Sequence, residues 1–360
     1  MIVNSNIKIS WIVVIVLISS IGTSARAQSS VTLYGVTDAG IQFASKTANS
    51  TGQNAGPAHA LTDGGNGASL IGIVGTEDLG GGMKAKFDLE GGISVANGSY
   101  NSSSGSFFGR QAWVGLFGRF GELRLGEQNT PFFLSIYETD PRNYSSFGSA
   151  VVPYANNVAF TGGVNSNAVL FKSSTVAGFE GSMMLALGGV AGNFQAGRQW
   201  SASLKYDNGT LMVNAAIYDG NGGGAVTPVS TNVEFEGRTI GVVYRIGSVV
   251  AKASFVNYKV AGSSNNNVYG GGAEYFVTPE LDLNSGVWLT SDRNQTSNHS
   301  LLVALGANYF LSKQTSLYAQ VGVLNNHGAM NTGLSVTDVS LLNEVRGTTI
   351  GANTGVRHTF

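Results

Sequence analysis

Side chains able to do chemistry are few and scattered in this chain. Four histidines, His59, His299, His327 and His358, stand among 360 residues that include no cysteine. No two of them have the spacing of metal ligands, and no thiolate exists to complete a set. Glycine clusters such as Gly64-Gly65-Asn66-Gly67 lack the lysine and the following helix of a phosphate cradle. Asp63, Asp219 and Asn221 carry oxygens but not the spacing of a calcium loop. No Gly-x-Ser-x-Gly nucleophile elbow occurs. The sequence therefore points to no cofactor, no metal and no catalytic residue. What remains is charge in alternation. Lys84 lies between Met83 and Ala85 and shares a face with Lys86, Asp88 and Glu90. Arg124 lies between Leu123 and Leu125. Charges on one face, backed by an apolar face, suit the wall of an aqueous channel, where side-chain charge sets ion preference. The plainer alternative is a solvated charge with no special role.

Such a face needs strands, and the period of two recurs along the chain. Leu281, Leu283, Val287 and Leu289 alternate with Asp282, Asn284, Trp288 and Thr290. Leu317, Ala319, Val321 and Val323 alternate with Ser316, Tyr318, Gln320 and Gly322. Sixteen strands are expected: 30–45, 68–79, 82–97, 106–118, 120–129, 164–173, 178–188, 198–207, 210–220, 236–247, 249–261, 267–277, 281–293, 299–310, 313–324 and 347–360. Short connections, such as Gly80-Gly81-Gly82 and Asn208-Gly209, alternate strictly with long polar ones. An even strand number with short turns on one side and long loops on the other is the pattern of outer-membrane barrels. Tyr206, Tyr275 with Phe276, and Tyr309 with Phe310 sit beside short turns, where an aromatic girdle belongs.

Composition agrees. Charged residues are 11% of the chain, against about 25% in ordinary soluble domains. The formal net charge is −1, and no basic excess marks a nucleic-acid partner. At the N-terminus, Lys8, the apolar run Trp11 to Ile18 and Ala25-Arg26-Ala27 have the layout of a cleaved secretory signal. The run is shorter than the roughly 20 residues of a membrane-spanning helix. Two domains of the chain are thus expected, a signal peptide over 1–27 and one barrel over 28–360. The alternative is an uncleaved N-terminal anchor.

Several stretches resemble the trimeric general porins of the neisserial and β-proteobacterial type. They are Ser30-Val31-Thr32-Leu33-Tyr34-Gly35 with Asp38-Ala39-Gly40, then Gly75 to Ala85, then Phe108-Gly109-Arg110-Gln111-Ala112-Trp113-Val114-Gly115-Leu116, and the terminal Arg357-His358-Thr359-Phe360. The resemblance implies an all-β, 16-stranded antiparallel transmembrane β-barrel with a long third loop folded into the lumen. It also implies a homotrimer in the outer membrane of a Gram-negative bacterium. Periplasmic chaperones and the barrel-assembly machinery would be partners in biogenesis, the latter through the terminal phenylalanine. Outer-membrane lipid, ions and small hydrophilic solutes are the remaining expected partners.

The segment 130–163 would be that third loop. The resemblance puts its acids Glu138 and Asp140 opposite wall cations Lys84, Arg110 and Arg124; alternation alone would set Arg110 with Ala112 and Val114. Three departures matter: Leu70 and Val74, then Glu127, then Leu170 stand where the family has basic residues or a Gly-Arg-Gln. Glu127 would face outward with Leu123 and Leu125 unless the strand ends or bulges. The expected activity is passive diffusion with weak charge selectivity or a cation preference. A substrate-selective channel on the same barrel is the alternative, followed by a barrel enzyme or adhesin.

Overall fold

The computed structural model describes residues 29–101, 105–225, 233–337 and 342–360; the expected signal peptide, 1–27, lies outside the described residues. Their strands are β1 (Ser30–Ala44), β2 (Ala58–Asp63), β3 (Leu70–Gly80), β4 (Met83–Gly92), β5 (Gln111–Gly118), β6 (Gly121–Asn129), β7 (Val164–Ser173), β8 (Phe179–Ala186) and β9 (Gln199–Asp207). After these come β10 (Leu211–Gly220), β11 (Phe235–Ile246), β12 (Val249–Val260), β13 (Asn265–Thr278), β14 (Leu281–Asp292), β15 (His299–Phe310), β16 (Thr315–His327) and β17 (Gly347–Thr359). Each pairs antiparallel with its neighbours, and β17 returns to β1 from Val36↔Thr359 to Ala44↔Gly351. Gly35 and Phe360 exchange two backbone hydrogen bonds at the seam, of 3.0 and 3.1 Å. The other described strands pair on both sides and the ring closes, as lipid requires, while β2 pairs with β1 alone.

Sixteen staves form this closed barrel, because β2 and β3 are two halves of one. Both pair with β1, β2 along Ala39–Ala44 and β3 along Ser30–Val36. The six residues between them, 64–69, turn inward, where buried Asp38 captures them. Asp38 Oδ2 accepts from Asn66 N at 3.1 Å and Gly67 N at 3.0 Å, and its Oδ1 accepts from Tyr318 Oη at 2.7 Å. β2 falls in a stretch expected to be loop. Strand alternation there is too short to read, and the Asp38 contact that bends the chain is non-local. Two other expected ends also move. The strand expected to reach residue 97 stops at Gly92, because 93–101 folds back around Gly98, at φ +76°; the strand expected from 106 starts at Gln111.

The alternation sorts the two faces. On β14 to β17, Leu283, Val287, Leu289, Leu301, Leu305, Leu317, Val321, Val323, Ile350 and Val356 are exposed on the outside. Asp282, Asn284, Trp288, Thr290, Ser300, Gln320 and Asn353 between them are buried inside. A lysine or arginine at mid-bilayer on the outer face would cost roughly 2–4 kcal/mol, and in these four strands that face carries none. Tyr206, Tyr244, Tyr275 and Tyr309 lie beside the short turns, with Tyr244, Tyr275 and Tyr309 about half exposed. They form the expected girdle.

The segment 130–163 lies within the ring of strands: its hydrogen bonds reach β9, β10, β14 and β16. It begins with α1 (Pro131–Thr139), where Thr130 Oγ1 caps Phe133 N at 3.0 Å and Pro131 occupies the first turn. Phe132 and Ile136, one turn apart, face the barrel wall. The wall is carved to receive them. A Cβ at Gly237 would meet the Phe132 ring, and one at Gly241 would meet the Thr139 side chain. After Asp140 the chain turns through Asn143 and Tyr144, both at positive φ, into α2 (Val151–Val158). Phe132 and Tyr154, each 0% exposed, join Tyr218, Phe235 and Tyr258 in an aromatic cluster at centroid separations of 4.5–6.4 Å. This apolar core lies inside the barrel and fills its β10–β16 side.

The last outer loop, 328–346, holds the third one down. Gly148 N donates to Leu334 O at 2.8 Å, Val336 N donates to Ser146 O at 3.0 Å, and Leu334 joins the aromatic core. Glu344 is buried at the base of this loop. Burial pushes its carboxyl up to about 8, with the Val345 N–H, the Thr349 hydroxyl and Lys46 pulling the other way. A carboxyl raised in the folded state contributes its full stability below the unfolded value near 4.5 and loses it as pH rises through about 8. Protease cleavage within 328–346 is expected to quicken between those values in the native chain, and Glu344→Gln is expected to flatten the profile. A native profile already flat over that range would contradict this.

Candidate functional site

The β3–β6 wall is the side that the aromatic core leaves clear. The register places Thr76, Lys86, Gly115 and Arg124 in one row, and Val74, Asp88, Trp113 and Gly126 in the next. Alternation thus brings Lys84, Lys86, Asp88, Glu90 and Arg124 onto the inner face, as their spacing implies. Arg110 is inward too. It stands one residue before β5, so alternation does not bind it, and its Nε meets Glu90 Oε1 at 2.7 Å.

The two arginines of this wall each have a local carboxylate, Glu90 for Arg110 and Glu122 for Arg124. Arg124 Nη2 lies 2.7 Å from Glu122 Oε2, and its guanidinium stacks 4.3 Å from the Trp113 ring. Lys86 Nζ sits 4.4 Å from the Phe117 ring. Tyr34 Oη lies 2.9 Å from Asp88 Oδ1 and 3.0 Å from Glu90 Oε2, so its single O–H is shared between the two carboxylates and keeps them against the wall. Lys84 is exposed opposite Asp78, without an ion pair among the described residues. Leu70 and Val74 leave the neighbouring strand, β3, without a cation; its charges are Glu77 and Asp78. Leu170 is buried with Ala168, Met184 and Ala186 in a small apolar cluster, so an arginine there is replaced by packing.

The loop acids divide. Glu138 faces Lys205, at 2.8 Å, and Asn214, at 3.2 Å. Lys205 also reaches Glu180 at 3.1 Å. Asp140, by contrast, is fully buried and faces no open lumen. Its Oδ1 accepts from Arg142 N and its Oδ2 from Ala150 N, both at 2.8 Å, so it ties the two helices of the loop together. Burial raises its carboxyl, and those two amides pull it back down. Glu127 sits at a register shift between Gly126 and Gln128, with Gly126 at φ +134°. The strand bulges there, and the Glu127 carboxylate joins no ion pair among the described residues.

Arg142 is the anchor of the loop. The guanidinium donates through Nε to Asn284 Oδ1 at 2.9 Å, through Nη1 to the carbonyls of Phe147 and Gly148, both at 2.8 Å, and through Nη2 to Gln320 Oε1. Burial lowers its pKa to about 10, against the pull of Asp140 and Asp282; it stays charged at neutral pH. Three more inward cations escaped the sequence reading. Lys205, Arg245 and Lys252 line a cavity of about 250 Å³ between the loop and β9–β12, with Tyr137, Glu138, Asn143, Asp207 and Met212. Arg245 lies 3.3 Å from Asp207, and Lys252 Nζ donates to Asp140 O and Asn143 Oδ1, both at 2.9 Å. Strand alternation does place Lys205 with Ser201 and Ser203, and that signal was available.

A closed barrel with a lipid-facing outside, a charged inner wall and a loop across its lumen defines an outer-membrane diffusion channel. The chain belongs to the Gram-negative porin family, whose profile matches residues 13–329. It is 30% identical over 356 residues to outer membrane porin protein 32 of Delftia acidovorans, covering 94% of this chain and 96% of that one. Major outer membrane protein P.IB of Neisseria gonorrhoeae is 29% identical, covering 83% and 89%. A solved structure of the anion-selective porin from Comamonas acidovorans superposes with a TM-score of 0.80 at 27% identity, over 92% of this chain and all of that one. The chain is thus an outer-membrane porin for passive diffusion of solutes.

Arg142 sets a test of the loop. Arg142→Met leaves Asn284, Gln320 and two loop carbonyls without their donor, and each buried acceptor left unsatisfied costs about 1–3 kcal/mol. The temperature at which the folded barrel loses its native gel mobility is expected to fall, and single-channel conductance to rise and grow noisy as the loop loosens. Unchanged melting and conductance would contradict the anchoring role.

Proposed function

We propose that this porin is weakly charge-selective, with the constriction framed by Lys84, Arg110, Arg124 and Glu138. The observation that carries the reading is local neutralisation. Arg110 is paired with Glu90, Arg124 with Glu122, Lys205 with Glu138 and Arg245 with Asp207, at 2.7–3.3 Å. A transverse field across a pore needs positive charge on one side and negative on the other. Here opposite charges alternate within one wall and cancel at short range. Uncharged Leu70, Val74 and Leu170 weaken the positive side further, and Asp140 is spent inside the loop.

The same proposal includes removal of residues 1–27 before assembly, a homotrimer with one pore per subunit, delivery by periplasmic chaperones and the barrel-assembly machinery, and no enzymatic activity. Support comes from the small-x-small end at Ala25-Arg26-Ala27, from the family resemblance and from the terminal phenylalanine held at the barrel seam. The relative described as an anion-selective porin sets the contrast.

Planar-bilayer recording under a potassium chloride gradient tests the selectivity. The expected cation-to-anion permeability ratio lies within about threefold of one, since paired charges contribute little to the field. Arg124→Gln frees Glu122 and is expected to move the ratio toward cations, whereas Arg124→Lys is expected to hold it. A native ratio strongly favouring anions would overturn the reading.

A further inference from the structure

His299 and His327 lie far apart in the sequence, yet the register of β15 and β16 sets them directly opposite each other at the loop end of the barrel. Both stand on the outward face, next to inward Ser300 and Asn326, which are buried. Their imidazoles stack at a centroid separation of 4.4 Å, with 17° between the ring planes. His327 is exposed and His299 partly so. Among the described residues, no hydrogen bond or ion pair engages a ring nitrogen of either, whereas His358 Nδ1 lies 2.9 Å from Thr315 Oγ1. A neutral imidazole carries one nitrogen lone pair, so two such lone pairs are available side by side.

We propose that His299 and His327 chelate one divalent late transition cation, copper(II) most tightly, with water in the remaining positions. Imidazole nitrogen suits copper, zinc and nickel, and affinity for a given nitrogen site peaks at copper(II). Calcium and magnesium demand oxygen ligands and find none in the pair. Two nitrogens at about 2.0–2.1 Å from one ion stand about 3 Å apart. The stacked rings reach that separation by a modest tilt toward each other, which the broad χ2 well of histidine permits. The backbone beneath them is already fixed. Asn298 Oδ1 accepts from Ala329 N at 2.9 Å, Ser300 Oγ lies 2.7 Å from Thr332 Oγ1, and Asn326 Nδ2 donates to Thr332 O at 3.0 Å. Met330 N donates to His327 O at 3.2 Å. A Cβ at Gly328, where φ is +62°, would meet Asn298 Oδ1, so the two connections are in close contact beside the histidines. Little ordering is left for the ion to impose. No third histidine or carboxylate completes a cluster among the described residues, which leaves the coordination open and the ion exchangeable. Ser291 faces His299 from β14, and Arg293, two residues further on, puts a positive charge one row out. That charge disfavours cations held by charge alone, but a nitrogen chelate does not depend on charge. The site lies outside the lumen and is separate from the path of diffusing ions.

The test is titration of the purified porin, in detergent and without a histidine tag, with copper(II) chloride, followed by electron paramagnetic resonance. One copper per chain is expected, with nitrogen couplings from two imidazoles, and millimolar calcium chloride is expected to leave the signal unchanged. H299N and H327N are each expected to weaken binding about a hundredfold, because a linked second ligand adds avidity of that order. H59N/H358N is expected to bind as the native chain does. Single-channel conductance of H299N and H327N should match the native value and so establish that they fold, since neither ring faces the lumen. The proposal is overturned if either single variant binds copper as tightly as the native chain, if H59N/H358N loses the signal, or if calcium displaces the copper.

Discussion

Hydrocarbon offers no partner to a backbone N–H or C=O, and the rest of this structure depends on that constraint. It forces the strands into a closed ring in which the last returns to the first, through the Gly35–Phe360 exchange and the β1–β17 ladder. Once the ring is closed, the period of two in each strand has only one meaning: apolar outward, polar or small inward. The size of the ring then creates a second problem, because a sixteen-stave barrel is too wide to be filled by its own wall side chains. The chain solves it with a segment of its own.

That segment is held by two unlike devices. On the β10–β16 side it is packed as a soluble core would be, with aromatic rings from the loop and the wall in contact and with glycines recessed beneath α1. At its tip it is held by polar groups: the Asp140 carboxylate on two amides, the Arg142 guanidinium on four acceptors, and the 64–69 turn drawn in by Asp38. Removing a charge from either polar cluster strands its partners in a dry place, so these positions tolerate little change. The β3–β6 wall has no such duty. Its arginines are paired with carboxylates in the plane of the wall, which suits a filter that passes many solutes and commits to none.

The barrel was legible in the sequence for the same reason that it is stable. Leu281 to Asp292 alternates because lipid lies on one side and the lumen on the other, and the strands drawn from such runs match the structure within a few residues over most of the chain. The loop was legible only as a long polar connection, and its inward fold came from resemblance. A local signal was present: Gly237 and Gly241 recur on one inward face of β11, which a close-packed helix requires. Site residues divide along the same line. Lys84 and Arg124 follow from alternation. Arg110 does not, because it precedes its strand. Asp140 looked like a pore acid, and only its distant partners, Arg142 N and Ala150 N, reveal it as a structural one. Arg142 and Lys252 act through contacts with Asn284 and Asn143, more than 100 residues away in each case, and no window of sequence shows such contacts.

The claim on which the account rests is that 130–163 stays against the β11 wall while the pore conducts. The native chain has no cysteine, so a single engineered pair reports without background. Thr139→Cys with Gly241→Cys joins positions whose Cβ atoms would stand 2.7 Å apart, close enough for a disulfide after a shift of about 1 Å. The account predicts spontaneous oxidation in the folded porin and a single-channel conductance that reduction leaves unchanged. Failure to oxidise, or a conductance that rises sharply on reduction, would mean that the loop leaves the wall in the working channel.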